Sequence, residues 1–257
     1  LDKGYRYAMT ANSDNLGAAP SARIAGWFAA SGAPYAPEMC RRTPADVKGG
    51  HLAVRKSDGR IILRDTAQTP EDQMHYFTDQ FRHPFFHTNN LWFDLEVLRD
   101  TLADRGGILG LPLIRNSKTV DPADSSSTPV IQLETAMGAA VEAFEGATAI
   151  EVPRSRFLPV KTTNDLLLVR SDVYEVDDDG LLQMVPDQAC TVSLDPRFYK
   201  KIQDFEARFP DGVPSIKDAQ SLTVDGDWTF GADVVATGEA HVEADGSPGR
   251  IADGARI

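Results

Sequence analysis

The feature that most restricts the fold is a six-residue repeat. Leu222, Trp228, Val234 and Ala240 are spaced by six, and so are Val224, Phe230, Ala236 and Val242. Gly226, Ala232 and Gly238 take the small-residue position between them. A six-residue period with two inward positions per step predicts a parallel β-helix, one repeat on each face. Two ordinary hairpins would reproduce the alternation but not a phase shared across the repeats. The insertion A-D-G-S-P-G breaks the phase, and Ile251 and Ile257 resume it.

The remainder of the 257-residue chain is long enough for one large domain or two smaller ones. A hydrophobic content of 42% supports a globular core. No apolar run is long enough to span a bilayer. Two cysteines, Cys40 and Cys190, do not make a disulfide framework, so a reducing, cytoplasmic setting is expected. A net charge of −12 argues against nucleic acid and anionic membranes as partners. A nucleotide substrate stays compatible with it, because a few lysines and a metal ion make a local anion site. No leader is visible at Leu1.

Along the chain, 1–11 reads as a strand with Tyr5, Tyr7 and Met9 alternating, running into N-S-D-N-L-G-A. A polar cluster past the carboxyl end of a strand is where open α/β sheets bind ligands. Residues 20–31 read as a helix burying Ile24, Trp27 and Phe28 and stopped by Gly32. Residues 51–56 and 60–64 flank S-D-G as a hairpin. Helices are predicted over 93–105, with Leu95, Leu98 and Leu102 on one face, and over 130–144, with Leu133, Met137, Ala140, Val141 and Phe144 on one side. Asp195-Pro196 opens a helix burying Phe198, Ile202 and Phe205, and Pro210 blocks its continuation. The alternation of helices with strands predicts an α/β domain.

One lysine stands out. The stretch 152–169, V-P-R-S-R-F-L-P-V-K-T-T-N-D-L-L-L-V, sets Lys161 among Phe157, Leu158, Val160 and Leu166–Val169. An ammonium in apolar surroundings needs an anion, so the setting suits a lysine aimed at a phosphate; the alternative is a strand-edge lysine snorkelling to water. The wording of this stretch closely resembles the signature of the eukaryotic-type UTP–glucose-1-phosphate uridylyltransferases (UDP-glucose pyrophosphorylases). A-N-S-D-N-L-G-A, A-D-V-K-G-G, H-T-N-N-L-W and V-I-Q-L-E-T-A-M-G-A-A are similar to further stretches of that family, in the same order, over nearly the whole chain.

The resemblance implies an α/β fold: part of a Rossmann-like nucleotidyltransferase mixed sheet over 1–182, then a linker helix and a left-handed parallel β-helix over 183–257 that helps build homo-oligomers. It implies uridylyl transfer from UTP to glucose 1-phosphate with Mg²⁺. Lys161 is then the catalytic, UTP-contacting lysine. Asp14 contacts metal and nucleotide, although the residue alone also suits an Asx-turn or a helix cap. Asn12 and Ser13 face the substrates with it. Gly49 and Gly50 lie against the sugar, beside Lys48. Asp65 stands where the family usually has a glutamate that binds glucose hydroxyls, a departure that bears on sugar choice. Asn89 and Asn90 are amides suited to sugar hydroxyls, or else turn formers. His87 replaces a usual asparagine and receives no role. Lys118 is a weak phosphate candidate. Arg154 and Arg156 suit either phosphate or structural ion pairs. The family's nucleotide loop, L-x-G-G-L-G-T-x-M-G, is absent, so the chain is expected to be a carboxyl-terminal portion that is inactive alone. A pyrophosphorylase of broader UDP-sugar or UDP-N-acetylhexosamine specificity and a non-catalytic assembly module are the competing expectations.

Overall fold

The computed structural model describes residues 1–43, 46, 49–66, 69–122 and 124–257. They form two compact units: 1–12 with 20–154, and 13–19 with 155–257.

The first unit is built on a four-stranded sheet. Its elements are β1 (Tyr7–Thr10), α1 (Ala22–Ser31), β2 (Tyr35–Arg41), β3 (His51–Val54), β4 (Ile61–Arg64), α2 (Met74–Phe77), β5 (Phe85–Asp94), α3 (Leu95–Asp104), β6 (Leu113–Thr119), β7 (Pro129–Thr135) and β8 (Ile150–Glu151). The sheet order is β1-β5-β2-β8; β5 runs antiparallel to β1 and β2, and β8 runs parallel to β2. Alternation along β5 separates two faces. Leu91 and Phe93 pack with Tyr35, Val141 and Phe144. Trp92 points the other way, 6.1 Å from the ring of Phe28 on α1. Ser21 caps α1 by accepting from the Ile24 amide, and Gly32 ends it at φ +66°. The predicted hairpin is present as antiparallel β3 and β4.

Three expectations for this unit are corrected. The amino-terminal strand is confined to Tyr7–Thr10. The helix predicted over 93–105 begins only at Leu95, because Phe93 and Asp94 finish β5, and Asp94 caps it by accepting from Glu96 N. The helix predicted over 130–144 does not form. Residues 129–135 are β7, paired antiparallel with β6, and Met137–Ala143 is a 3-10 turn. The run V-I-Q-L-E-T satisfies a two-residue period as well as a helical one, and the β6 partner decides between them. Leu133 and Met137 are consequently exposed, while Ala140 and Val141 are buried.

The second unit contains α4 (Thr163–Arg170), β9 (Tyr174–Val176), β10 (Leu182–Met184), β11 (Thr191–Leu194), α5 (Pro196–Tyr199), α6 (Ile202–Arg208), β12 (Ala219–Val224), β13 (Trp228–Phe230), β14 (Gly238–Val242) and β15 (Gly249–Ile251). Within and around the six-residue repeat, strands pair in parallel in three sets. Val192, Leu222 and Ala240 are register partners in the first, Phe230 and Ile251 in the second, and Ser215, Val235 and Arg256 are joined by isolated bridges in the third. Leu222, Val224, Phe230, Val234 and Ala236 are all buried. The helix predicted after Asp195 is split at Lys200–Lys201, which leaves Ile202 exposed while Phe205 is buried. The units divide at 154/155 rather than at 182. The reason is packing: Leu167 of α4 and Val173 share one core with Leu222, Phe230 and Ile251.

Candidate functional site

The candidate residues fall in both units, and each set is built within its own.

In the second unit, 13–19 pairs with 155–160. Val160 N donates to Asp14 O at 2.8 Å, and Leu16 N donates to Leu158 O at 3.0 Å. Buried Asn15 locks the pairing: its Oδ1 accepts from Leu158 N at 2.7 Å and Gly17 N at 3.2 Å, and its Nδ2 donates to Arg156 O. Gly17 is required there, because a Cβ would run into the backbone of Ser155 and Arg156. Asp14 thus lies in one of two paired segments, and Lys161 follows directly after the other. Asp14 is half-buried, and its Oδ1 is enclosed without a hydrogen-bond partner. A bare carboxylate oxygen of this kind fits a hard cation, and Mg²⁺ commonly takes one or two carboxylates with phosphate oxygens completing its shell. Among the described residues no three His, Cys, Asp or Glu side chains gather into a ready metal site. Ser13 is exposed beside Asp14.

Lys161 corrects the expectation of an apolar setting. It is exposed, one residue before the cap of α4. The apolar residues after it turn into the helix and bury Leu167, so they do not surround the ammonium. Its backbone is held instead. Asp165 Oδ2 accepts from Lys161 N at 3.0 Å and Thr162 N at 2.8 Å, and Thr162 Oγ1 completes a capping box. Arg156 donates to Ala19 O, a structural contact.

In the first unit, Asn89 is the centre. It has φ +63°, rare for a residue other than glycine, and its Nδ2 donates to Asn12 Oδ1 at 2.7 Å. Asn90 is wholly buried, and its Nδ2 donates to Glu38 Oε2 at 3.0 Å. That corrects the expectation of a substrate-facing amide at Asn90 and gives it a supporting place. Gly50 O accepts from His87 N at 2.7 Å, and a Cβ on Gly50 would stand 3.2 Å from Asp65 Oδ2. A Cβ on Gly49 would press on Phe86 at 3.1 Å. The glycine pair therefore serves close packing of the chain on itself, and it brings Asp65 and His87 to one place. Lys48 lies outside the described residues. Lys118 is exposed on β6, opposite Val130. Arg154 pairs with Asp46 at 2.8 Å, the structural alternative.

Two further residues support the site although the sequence assigned neither a role. His87 Nδ1 accepts from Asn89 N at 3.0 Å, its Nε2 is enclosed without a partner, and burial pushes its pKa down to about 4. The imidazole is therefore neutral at pH 7 and supports the backbone of Asn89. Glu38 is buried behind the same strand. Glu38 lies outside the quoted stretches, and His87 opens H-T-N-N-L-W, where the sequence assigned it no role.

The family described as UTP–glucose-1-phosphate uridylyltransferase matches residues 1–236. The uridylyltransferase of Solanum tuberosum is 40% identical over 262 residues, covering 100% of this chain and 53% of the potato protein. That of Hordeum vulgare is 41% identical over 247 residues, covering 95% of this chain and 50% of its own. This chain thus spans about half the length of the curated relatives it matches. Among solved structures, a UDP-glucose phosphorylase from Trypanosoma brucei superposes with a TM-score of 0.86 at 42% identity, covering 100% of this chain and 56% of that one. A UDP-glucose pyrophosphorylase mutant from Leishmania major, solved with UDP-glucose, superposes at 0.83 with 45% identity over 99% of this chain and 56% of its own. With its mixed α/β fold and a match over most of its length, the chain belongs to the UTP–glucose-1-phosphate uridylyltransferase family.

Proposed function

We propose that this chain serves a protein that transfers a uridylyl group from UTP to glucose 1-phosphate, forming UDP-glucose and releasing pyrophosphate. The observation that carries the reading is the pairing of 13–19 with 155–160, which holds Asp14 beside Val160, the residue before Lys161. The reaction is an in-line attack of the sugar phosphate oxygen on the α-phosphorus, with no covalent protein intermediate. Positioning and charge neutralisation supply the catalysis. The exposed ammonium of Lys161 faces the charge that builds on the α-phosphate. Asp14 would hold Mg²⁺, which would supply positive charge to neutralise the phosphates. In the first unit, Asn12, Asn89, Asp65 and the Gly49-Gly50 backbone bind the sugar phosphate.

The test is kinetic. Lys161→Ala in the intact protein lowers kcat about 10²–10³-fold, the usual loss for one transition-state charge donor. Its fold is little changed, because the side chain is exposed and the backbone is held by Asp165. Asp14→Asn removes the charge and keeps the shape, so it raises the Mg²⁺ concentration needed for half-maximal rate. A loss below tenfold for Lys161→Ala removes that residue from the chemistry, and an unchanged Mg²⁺ requirement makes Asp14 structural.

Asp65 favours a second reading, a broader sugar specificity, because its short side chain sits against Gly50. Turnover across a panel of sugar 1-phosphates separates the two. The sheet of the first unit is read as part of a Rossmann-like nucleotidyltransferase sheet. The parallel coil of the second is read as a left-handed β-helix that joins copies of the protein. A crystal structure checks its hand.

A further inference from the structure

The ladder between β2 and β5 is irregular at one place. Pro37 pairs with Leu91, and Met39 pairs with His87. Three residues of β5, Thr88, Asn89 and Asn90, therefore stand opposite the single residue Glu38. Pro37 contributes to the break, since it lacks the N–H of a regular ladder. A bulge of this kind re-aims a side chain, and it survives only where its polar groups find partners.

Glu38 supplies those partners. It is wholly buried. Its Oε2 accepts from Asn90 Nδ2 at 3.0 Å, and its Oε1 accepts from Trp92 Nε1 at 2.9 Å. Its backbone carbonyl accepts from Thr88 Oγ1 at 2.8 Å. Thr88 Oγ1 in turn accepts from Asn90 N at 3.2 Å. One residue thus grips the bulge on both sides of Asn89 and again two residues on. Asn89 lies at the crest with φ +63° and its amide on Asn12. A left-handed non-glycine backbone is strained and persists only where its surroundings over-determine it.

We propose that Glu38 is a positioning residue: through Thr88, Asn90 and Trp92 it sets the β5 bulge that presents the Asn89 amide toward the sugar phosphate. This rests on the reading of Asn89 and Asn12 as sugar contacts. The carboxylate is needed because it accepts on both oxygens. A glutamine of the same shape accepts on one and turns an NH₂ toward a donor, so the Asn90 or the Trp92 bond is lost.

The experiment uses Glu38→Gln, Thr88→Val and Asn89→Gly, with steady-state kinetics on the intact protein and ¹⁵N spectra of this chain. The chain has three tryptophans, so the Trp92 indole signal is readily assigned. Glu38→Gln is expected to shift the signals of Asn89 and of the Trp92 indole. It should raise KM for glucose 1-phosphate about tenfold while leaving KM for UTP and kcat within a few-fold, the pattern of a displaced binding group. Thr88→Val reaches the same bulge from the other side and should act in the same direction, so the proposal does not hang on one variant folding. Asn89→Gly keeps the backbone conformation and removes the amide, and should match the KM effect. Unmoved Asn89 signals and KM in both Glu38→Gln and Thr88→Val, with Asn89→Gly still raising KM, overturn the positioning role and leave the sugar site standing. Moved signals with no KM effect in any variant sink the sugar-site reading, and the positioning role with it.

Discussion

At the scale of single residues, the most informative groups are those with an oxygen or nitrogen left enclosed and unpaired. Asp14 Oδ1 and His87 Nε2 are two of them. His87 has a measurable consequence. Its Nδ1 accepts from Asn89 N, so protonation sets two donors face to face. Burial has lowered its pKa from 6.5 to about 4. Between those values the unfolded chain binds more protons than the folded one, so stability rises with pH across that window. It is complete above about pH 6.5 and falls as the pH drops toward 4. His51, lowered to about 3 by its own burial, with His83 and Arg42 adding to the effect, contributes in the same direction. The displacement at His87 corresponds to about 3 kcal/mol. Urea denaturation at pH 7 and pH 5 is expected to show a smaller difference for His87→Asn than for the unaltered chain. Equal differences mean that the His87 imidazole is not the titrating group.

At the scale of elements, the pairing of 13–19 with 155–160 depends on Gly17 as well as on the Asn15 side chain. Gly17→Ala places a methyl group against Ser155 and Arg156 backbone atoms, which have no side-chain freedom with which to move aside. The expected cost is about 1–3 kcal/mol, as for other overpacked sites. The shift should appear as a lower denaturation midpoint with an unaltered slope, together with moved Asp14 signals. A midpoint equal to that of the unaltered chain shows that the two segments can separate without loss. The elements themselves are unevenly legible in the residues. Helix α1 has its own cap and its own stop, so local chemistry defines it. Strand β7 has an apolar pattern that two periods share, and only its pairing with the preceding β6 decides between them. Strand β2 gives no strand signal of its own, because it is buried on both faces almost throughout, and β5 is buried on both faces over its last five residues.

At the scale of the whole molecule, the parallel ladders of the second unit leave β11 and β14 as edges of one described sheet. Open edges tend to pair with another chain. Self-association through this unit is the proposal, and the net charge of −12 sets its salt dependence. Like charge on every copy opposes contact, and salt screens it. Sedimentation at micromolar concentration is therefore expected to show species heavier than one chain, with a larger share at higher ionic strength. A single monomeric species at every salt concentration sinks the assembly role. Deleting 218–257 would be a poor test, because Leu167, Val173 and Cys190 share a core with Leu222 and Phe230 and would be uncovered.

Features whose physical cause is local are set by the order of residues alone. The six-residue phase of inward residues is such a feature, and the parallel pairing of β11, β12 and β14 and of β13 with β15 agrees with it. The cap before α4, the glycine after α1 and the stretch around Lys161 are likewise short-range signals, and the family is legible from the last of these. Partners far along the chain settle the rest. Strand wins over helix at 129–135 because β6 supplies a ladder. Lys161 turns outward because the apolar residues that follow it have a helix face to bury. Asn90 is enclosed and Asn89 is not, two neighbours of one type, because a bulge gripped by Glu38 separates their environments. No spacing in H-T-N-N-L-W distinguishes those two asparagines, since the carboxylate that does so lies on another strand.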